Sequence, residues 1–177
     1  MADSEEAAQA FEIADATPAD AEAVLAVKDQ AWREAYAHLL PAEYLAGPMD
    51  GGPERTERWR GYLTPDGARR FALVRRGGRV VGFAGAGPAL DEDRPAPLQL
   101  YTAYVLAEMY GTGAARAVVE RVLGEQPALL WVFEDNPRAR AFYAKLGFVP
   151  DGARQPGEFG GLFLSEIRMV REPASPQ

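Results

Sequence analysis

Apolar positions along this chain recur with two periods, and where the period changes the elements change. From Thr17 onward Val24, Leu25, Trp32 and Tyr36 recur at helical spacing, with Lys28 in the same series. Thr17 stands at the N-cap, Pro18 at the first helical position and Asp20 in the first turn, and Pro41 marks the end. FEIADA (11–16) ahead of it reads as a short strand. GPMDGGP (47–53) is a loop of strong breakers, and Glu54–Leu63 reads as a second helix with Trp59 facing inward.

The period then shortens. RFALVR (70–75) and RVVGFAG (79–85) flank Arg76-Gly77-Gly78, which predicts a hairpin, and LQLYTAYV (98–105) adds a third strand after the loop DEDRPAP (91–97). GFAGAG (82–87) precedes a loop and not a helix, so it reads as strand with a bulge or a close backbone approach. Gly113–Leu123 is helical, with Ala117, Val118 and Val122 as a buried stripe. ALLWVF (128–133) is nearly all apolar, as a strand covered on both faces would be. Pro137–Leu146 forms another helix, ended by Gly147, and 162–170 a last strand. Strands followed by strand–helix–strand–helix–strand predict one α/β domain with a mixed sheet.

Composition narrows the chemistry. The chain has 177 residues and no cysteine, which excludes disulfides, thiolate metal sites and a cysteine nucleophile and fits an intracellular, cytoplasmic home. No apolar run approaches the ~18–20 residues of a membrane span, and the polar, acidic start does not read as a signal peptide. The net charge of −7 sits at the front: residues 1–27 hold seven acids and no Lys or Arg. The other 150 residues are balanced, 19 acidic against 19 basic. An acidic head on a neutral body argues against a nucleic-acid partner. Residues 1–10 read as a disordered acidic tail and 172–177 as a C-terminal tail.

Two segments carry candidate chemistry. In YVLAEMYGTGAAR (104–116), β-favouring residues run into Gly-Thr-Gly and a helix comes directly after. Glycines let a backbone adopt positive φ or approach a ligand, and a helix start presents bare N–H groups and the positive end of its dipole. Gly111, Thr112, Gly113, Ala114 and Ala115 are all small, so their amides could hold a pyrophosphate. A plain turn needing glycine for tight packing explains the same residues. The chain lacks the Gly-Lys-Ser/Thr of a Walker loop and, with Arg116, the third glycine of a dinucleotide fingerprint. In the second segment, LWVFEDNPRARAFYAKLGFVPDG (130–152), a strand ends at Glu134-Asp135 and Asn136-Pro137 starts a helix. Ala139, Phe142, Tyr143 and Leu146 fall on one of its faces. Asn136 also reads as an N-cap, and Tyr143 as a core tyrosine.

Together these segments resemble the GNAT superfamily of acetyl-CoA-dependent N-acetyltransferases, and AWREAYAHLLPAEYLA (31–46) resembles the first-helix region of a large bacterial branch. The likeness spans about 11–171, a single N-acetyltransferase domain. It implies a mixed central sheet flanked by helices, with a strand split that admits the pantetheine arm. It also implies direct acetyl transfer from acetyl-CoA to a primary amine on a small molecule, without a metal. Acetylation of protein N-termini or lysines, and a non-catalytic acyl-CoA-binding module, remain alternatives; a homodimer is left open.

By that resemblance Tyr104 and Val105 would hold the pantetheine arm, Tyr110 through Ala115 the diphosphate, and Asn136 the arm near the split. Tyr143 would protonate the leaving sulfur. The chain departs from the family at Tyr110, where Gln or Arg is usual, at Thr112, and at Gln99, where some members place a glutamate base. The base therefore stays open among His38, the acidic trio Asp91, Glu92 and Asp93, Glu158, and a chain of waters. Trp32, Tyr36 and Tyr101 are acceptor-pocket candidates that read equally well as core.

Overall fold

The computed structural model describes residues 11–37, 42–45, 52, 54–159 and 162–173. The first helix begins as its cap predicts: Asp20 accepts hydrogen bonds from the Thr17 N–H (2.9 Å) and hydroxyl (2.8 Å), and Pro18–Asp20 forms a single 3-10 turn. Helix α1 then runs Ala21–Tyr36, burying Val24, Leu25, Val27, Ala31 and Trp32. Pro41, expected to mark its end, lies outside the described residues. Short α2 is Ala42–Leu45, and α3, Arg55–Leu63, turns Trp59 and Leu63 inward as expected. Further on, α4 is Ala114–Leu123 and α5 is Pro137–Lys145.

The strands are β1 (Glu12–Asp15), β2 (Arg70–Arg76), β3 (Arg79–Pro88), β4 (Leu98–Val105), β5 (Ala128–Phe133), β6 (Val149–Phe159) and β7 (Leu162–Arg171). Their order in the mixed sheet is β1-β2-β3-β4-β5-β7-β6. β6 is absent from the sequence reading. Pro150, Gly152, Pro156 and Gly157 break its period; a register shift between Pro150 and Arg154 absorbs the first two, while Pro156 and Gly157 stay in register opposite Ser165 and Leu164.

The chain divides into two compact units. The first holds the described residues up to Gly85 together with Thr102–Val122; the second holds Ala86–Tyr101 and Leu123 onward. In the first, β1 pairs antiparallel with β2, from Glu12 opposite Arg75 to Asp15 opposite Ala72. Its core is built on Val24, Trp32, Leu73, Val74, Phe83, Leu106 and Met109, all at most 2% exposed. The stripe of α4 is Ala114, Val118, Val119 and Val122, with Ala117 only half-buried. It is rotated by part of a turn from the stripe that spacing alone predicts. In the second unit, Leu98–Leu100 runs parallel to Ala128–Leu130, and β7 pairs antiparallel with both β5 and β6. Leu129, Leu130, Phe148 and Met169 form its centre.

Candidate active site

In the first unit everything leads to the start of α4. Gly82 of β3 is where the backbone must come close: a Cβ there would lie 2.6 Å from Val105 Cγ1 and 3.0 Å from the Tyr104 carbonyl. The close approach expected of the glycine-rich strand is thus made against the very residues expected to hold the pantetheine arm. The Tyr104 hydroxyl accepts a hydrogen bond from Trp32 Nε1 at 2.8 Å, and its ring packs against Phe83 at 5.6 Å. Trp32 is 2% exposed, and Tyr36 stacks on it with ring centroids 4.4 Å apart. Of the two readings for Trp32, core is the one the structure takes. Its indole steadies Tyr104.

The strand does not run straight into the glycines. Leu106 donates its N–H to the Val81 carbonyl, and Ala107–Met109 then makes one 3-10 turn. Glu34 of α1 accepts from the Ala107 N–H at 2.7 Å, and Gln30 steadies that carboxylate at 2.8 Å. Glu108 pairs with Arg79 on the other side. Met109, 1% exposed, anchors the turn in the core. Sequence reasoning misses Glu34, because nothing in its spacing distinguishes it from any exposed helical acid.

Gly111 and Gly113 have φ of +78° and +88°, a region costly for residues with a Cβ. A Cβ on either would meet no atom within 4 Å. Tight packing is therefore not why these positions are glycine; the backbone angle is, and the space above is open. The Thr112 hydroxyl donates to the Met109 carbonyl at 2.8 Å and accepts from the Ala114 N–H at 3.3 Å. Ala117 closes the first helical bond onto Gly113. Among the described residues, nothing in the protein accepts from the amides of Gly113, Ala115 and Arg116. Three orphan donors and the positive end of a helix dipole face open space there, an arrangement whose chemistry suits an anion. Tyr110 stands beside it, 38% exposed.

The second unit supplies the other expected group. Asn136 caps α5: its side-chain oxygen accepts from the Ala139 N–H at 3.0 Å, with Pro137 at the first helical position. Glu134 ahead of it pairs with Arg154, and that hydrogen bond, before any other cause, holds its carboxyl below the usual range. Tyr143 is half-buried between Phe142 (centroids 5.2 Å apart) and Phe148 (6.1 Å), and its carbonyl accepts from Leu146 and Phe148. The ring is fixed from both sides.

The acidic trio turns out to be divided. Arg168 of β7, 8% exposed, bonds Asp91, Asp93 and Asp151, each at 2.7 Å, and Trp131 Nε1 donates to Asp91 at 3.1 Å. The Arg168 hydrogen bonds hold Asp93 below the ordinary carboxylate range, and the three carboxylates push the Arg168 pKa higher still. Asp91 and Asp93 are thereby committed to a loop-anchoring ion cluster, while Glu92 remains exposed. Gln99 accepts from the Leu90 N–H at 3.0 Å, and the Tyr101 hydroxyl bonds the Pro88 carbonyl. Both hold the same loop. Glu158 sits in the β6–β7 ladder opposite Phe163; its side chain, like all of His38, lies outside the described residues. No group of three or more acidic or histidine side chains among the described residues could hold a metal ion.

The family model described as "Acetyltransferase (GNAT) family" matches residues 29–148. An uncharacterized N-acetyltransferase of Mycobacterium tuberculosis, Rv2669, is 33% identical over 159 residues, covering 86% of this chain and 97% of the relative. YuaI of Bacillus subtilis, also an uncharacterized N-acetyltransferase, is 26% identical over 84% of this chain and 85% of its own length. Among solved structures, a PaiA N-acetyltransferase from Thermoplasma acidophilum in complex with coenzyme A superposes with a TM-score of 0.62. It shares 17% identity and covers 89% of this chain and 98% of its own. A ribosomal-protein-alanine N-acetyltransferase from Brucella melitensis gives 0.68, at 24% identity, over 90% and 98%. At those identities the likeness shows the fold.

Proposed function

The chain belongs to the acetyltransferase (GNAT) family, and from that premise we propose that it transfers an acetyl group from acetyl-CoA to a primary amine on a small molecule by direct attack. The observation that carries this reading is the row of orphan amides at Gly113, Ala115 and Arg116, facing open space at the mouth of α4. The coenzyme A bound by the Thermoplasma neighbour supports the same ligand here.

When bound, the cofactor supplies an activated acyl group on a thioester. The rest falls to this chain's own residues. The amides of Gly113, Ala115 and Arg116 bind the diphosphate through main chain, with Gly111 and Thr112 setting the turn. Tyr104 and Val105, pressed onto Gly82, hold the pantetheine arm, and a backbone N–H of that stretch polarises the carbonyl. Asn136 helps fix the arm. The Tyr143 hydroxyl gives its proton to the departing sulfur; phenols and thiols ionise in neighbouring pH ranges, which suits that exchange. With Asp91 and Asp93 engaged by Arg168 and glutamine at 99, the proton of the incoming amine leaves through water or through His38, Glu92 or Glu158.

Thiol release from acetyl-CoA, measured against small amines, peptides with free N-termini and lysine peptides, tests the reading. Small primary amines are expected to accelerate release with saturation. Transfer confined to peptides would replace the small-molecule acceptor by the protein-directed alternative, which the name of the Brucella neighbour favours. Binding without transfer to any amine would leave only an acyl-CoA-binding module.

A further inference from the structure

A cavity of about 390 Å³ lies in the first unit, lined by the end of β1, the end of α3 with the residues after it, the start of β2 and the last turn of α4. Its volume falls in the range of small-molecule sites, ~300–1,000 Å³. The floor is apolar, with Leu63, Phe71 and Val122, and the wall carries Tyr62, Asp15 and three arginines. Arg121 and Val122 lie in the last turn of α4, whereas the diphosphate cradle lies at its first residues; the rise of ~1.5 Å per residue separates them by ~8–14 Å along the axis.

The three arginines are not equivalent. Arg121 is spoken for, with two nitrogens on the two Asp15 oxygens at 3.0 and 2.9 Å. Arg69 stacks over the Tyr62 ring at 5.8 Å. Arg70 meets no carboxylate among the described residues, although Arg55, Arg75, Arg79 and Arg116 of the same unit each pair with one. One open guanidinium fork at the mouth matches one planar carboxylate, bonded through two parallel N–H groups. Asp15 and Arg121 offset each other and Arg69 is held over the Tyr62 ring, which leaves the single fork of Arg70 for one carboxylate.

The aromatic side of the cavity is built, not incidental. Tyr62 and Phe71 both stand edge-on to the buried Trp59, with centroids 5.7 and 6.1 Å from it. Phe71 is further confined by β3: a Cβ on Gly85 would collide with its ring. Two rings held at fixed angles, with an arginine plane stacked on one, offer flat apolar surface to a flat ligand.

We propose that this cavity is a second ligand site that takes a small planar aromatic monocarboxylate, its carboxylate on Arg70 and its ring between Tyr62 and Phe71. The site stands apart from the acetyl-transfer reading and does not depend on it. The probe is 2-naphthoate, titrated by calorimetry into the full chain, with 2-naphthamide and inorganic phosphate as controls. Saturable one-to-one binding is expected for the acid. It should be at least tenfold weaker for the amide and for Arg70→Gln, and blocked in Ala16→Leu, which fills the wall. Arg70 is exposed, so Arg70→Gln keeps the fold; an unchanged melting temperature confirms it. No saturation by 2-naphthoate overturns the proposal, as does equal affinity in wild type and Arg70→Gln. Phosphate competing as strongly as the aromatic acid would reduce the site to a bare anion patch and overturn it too.

Discussion

Tyr143 and Arg168 show how differently two single residues are read. Tyr143 is singled out in the sequence by the resemblance of its segment to the family, since its place on one helical face with Phe142 and Leu146 reads equally well as core, and the structure packs its ring against Phe142 and Phe148. Replacing it by Phe keeps that packing and removes only the hydroxyl. We expect Tyr143→Phe to lower kcat by ~100-fold or more while acetyl-CoA affinity stays within about twofold. Steady-state kinetics with a good acceptor would expose an unchanged kcat, which removes the acid role. Arg168 has no signal at all: it is one arginine in an alternating strand, and its three carboxylates come from remote stretches of the chain. Arg168→Met should cost about 2–3 kcal/mol in denaturant unfolding, since it strands Asp91, 14% exposed, and Asp151 without their cation. The acids of the 91–93 loop are legible as charges but not as a structural cluster, because partner choice is a tertiary fact.

At the scale of elements, the parts with local causes are readable and those with long-range causes are not. The caps at Thr17 and Asn136, the inward Trp59 and the bounds of β4 and β5 derive from residues within a few positions. β6 escapes a sequence reading because its prolines and glycines break the period, and only pairing with β7 holds it extended. The glycine turn shows the same division. Its small residues are evident, but the 3-10 turn ahead of it is held by Glu34 and Met109, which no spacing rule connects to it. Removing the α5 cap should be measurable: Asn136→Ala is expected to lower stability by about 1 kcal/mol, read as a shift in the urea midpoint at constant slope. An unchanged midpoint would mean that Ala139 N–H finds another acceptor. Glu34→Ala should raise the KM for acetyl-CoA with little change in kcat, because it loosens the turn and not the chemistry; a fall in kcat alone would contradict that placement.

For the molecule as a whole, ion pairs contribute to the pH response. Arg168 and Arg154 hold Asp93 and Glu134 below their ordinary range, so in mild acid the unfolded chain binds more protons than the folded one. That stabilisation is complete above the unfolded carboxylate range, near pH ~4, and is lost as pH falls through the lower folded values. Melting temperatures should therefore drop between pH ~5 and ~2, and drop less in Arg168→Met; equal slopes would remove the Arg168 cluster as a source. Family and fold are legible because two short motifs stand in order, and the acceptor is not, because candidates such as Trp32 prove to be core. The central claim is that main-chain donors opening α4 hold the diphosphate of coenzyme A. Calorimetric titration of the folded chain with acetyl-CoA, beside Thr112→Glu, tests it directly. One-site saturation in the wild type, weakened at least tenfold by the carboxylate introduced at 112, is the predicted result. Absence of saturable heat with folded wild type, or equal affinity in both proteins, would contradict it.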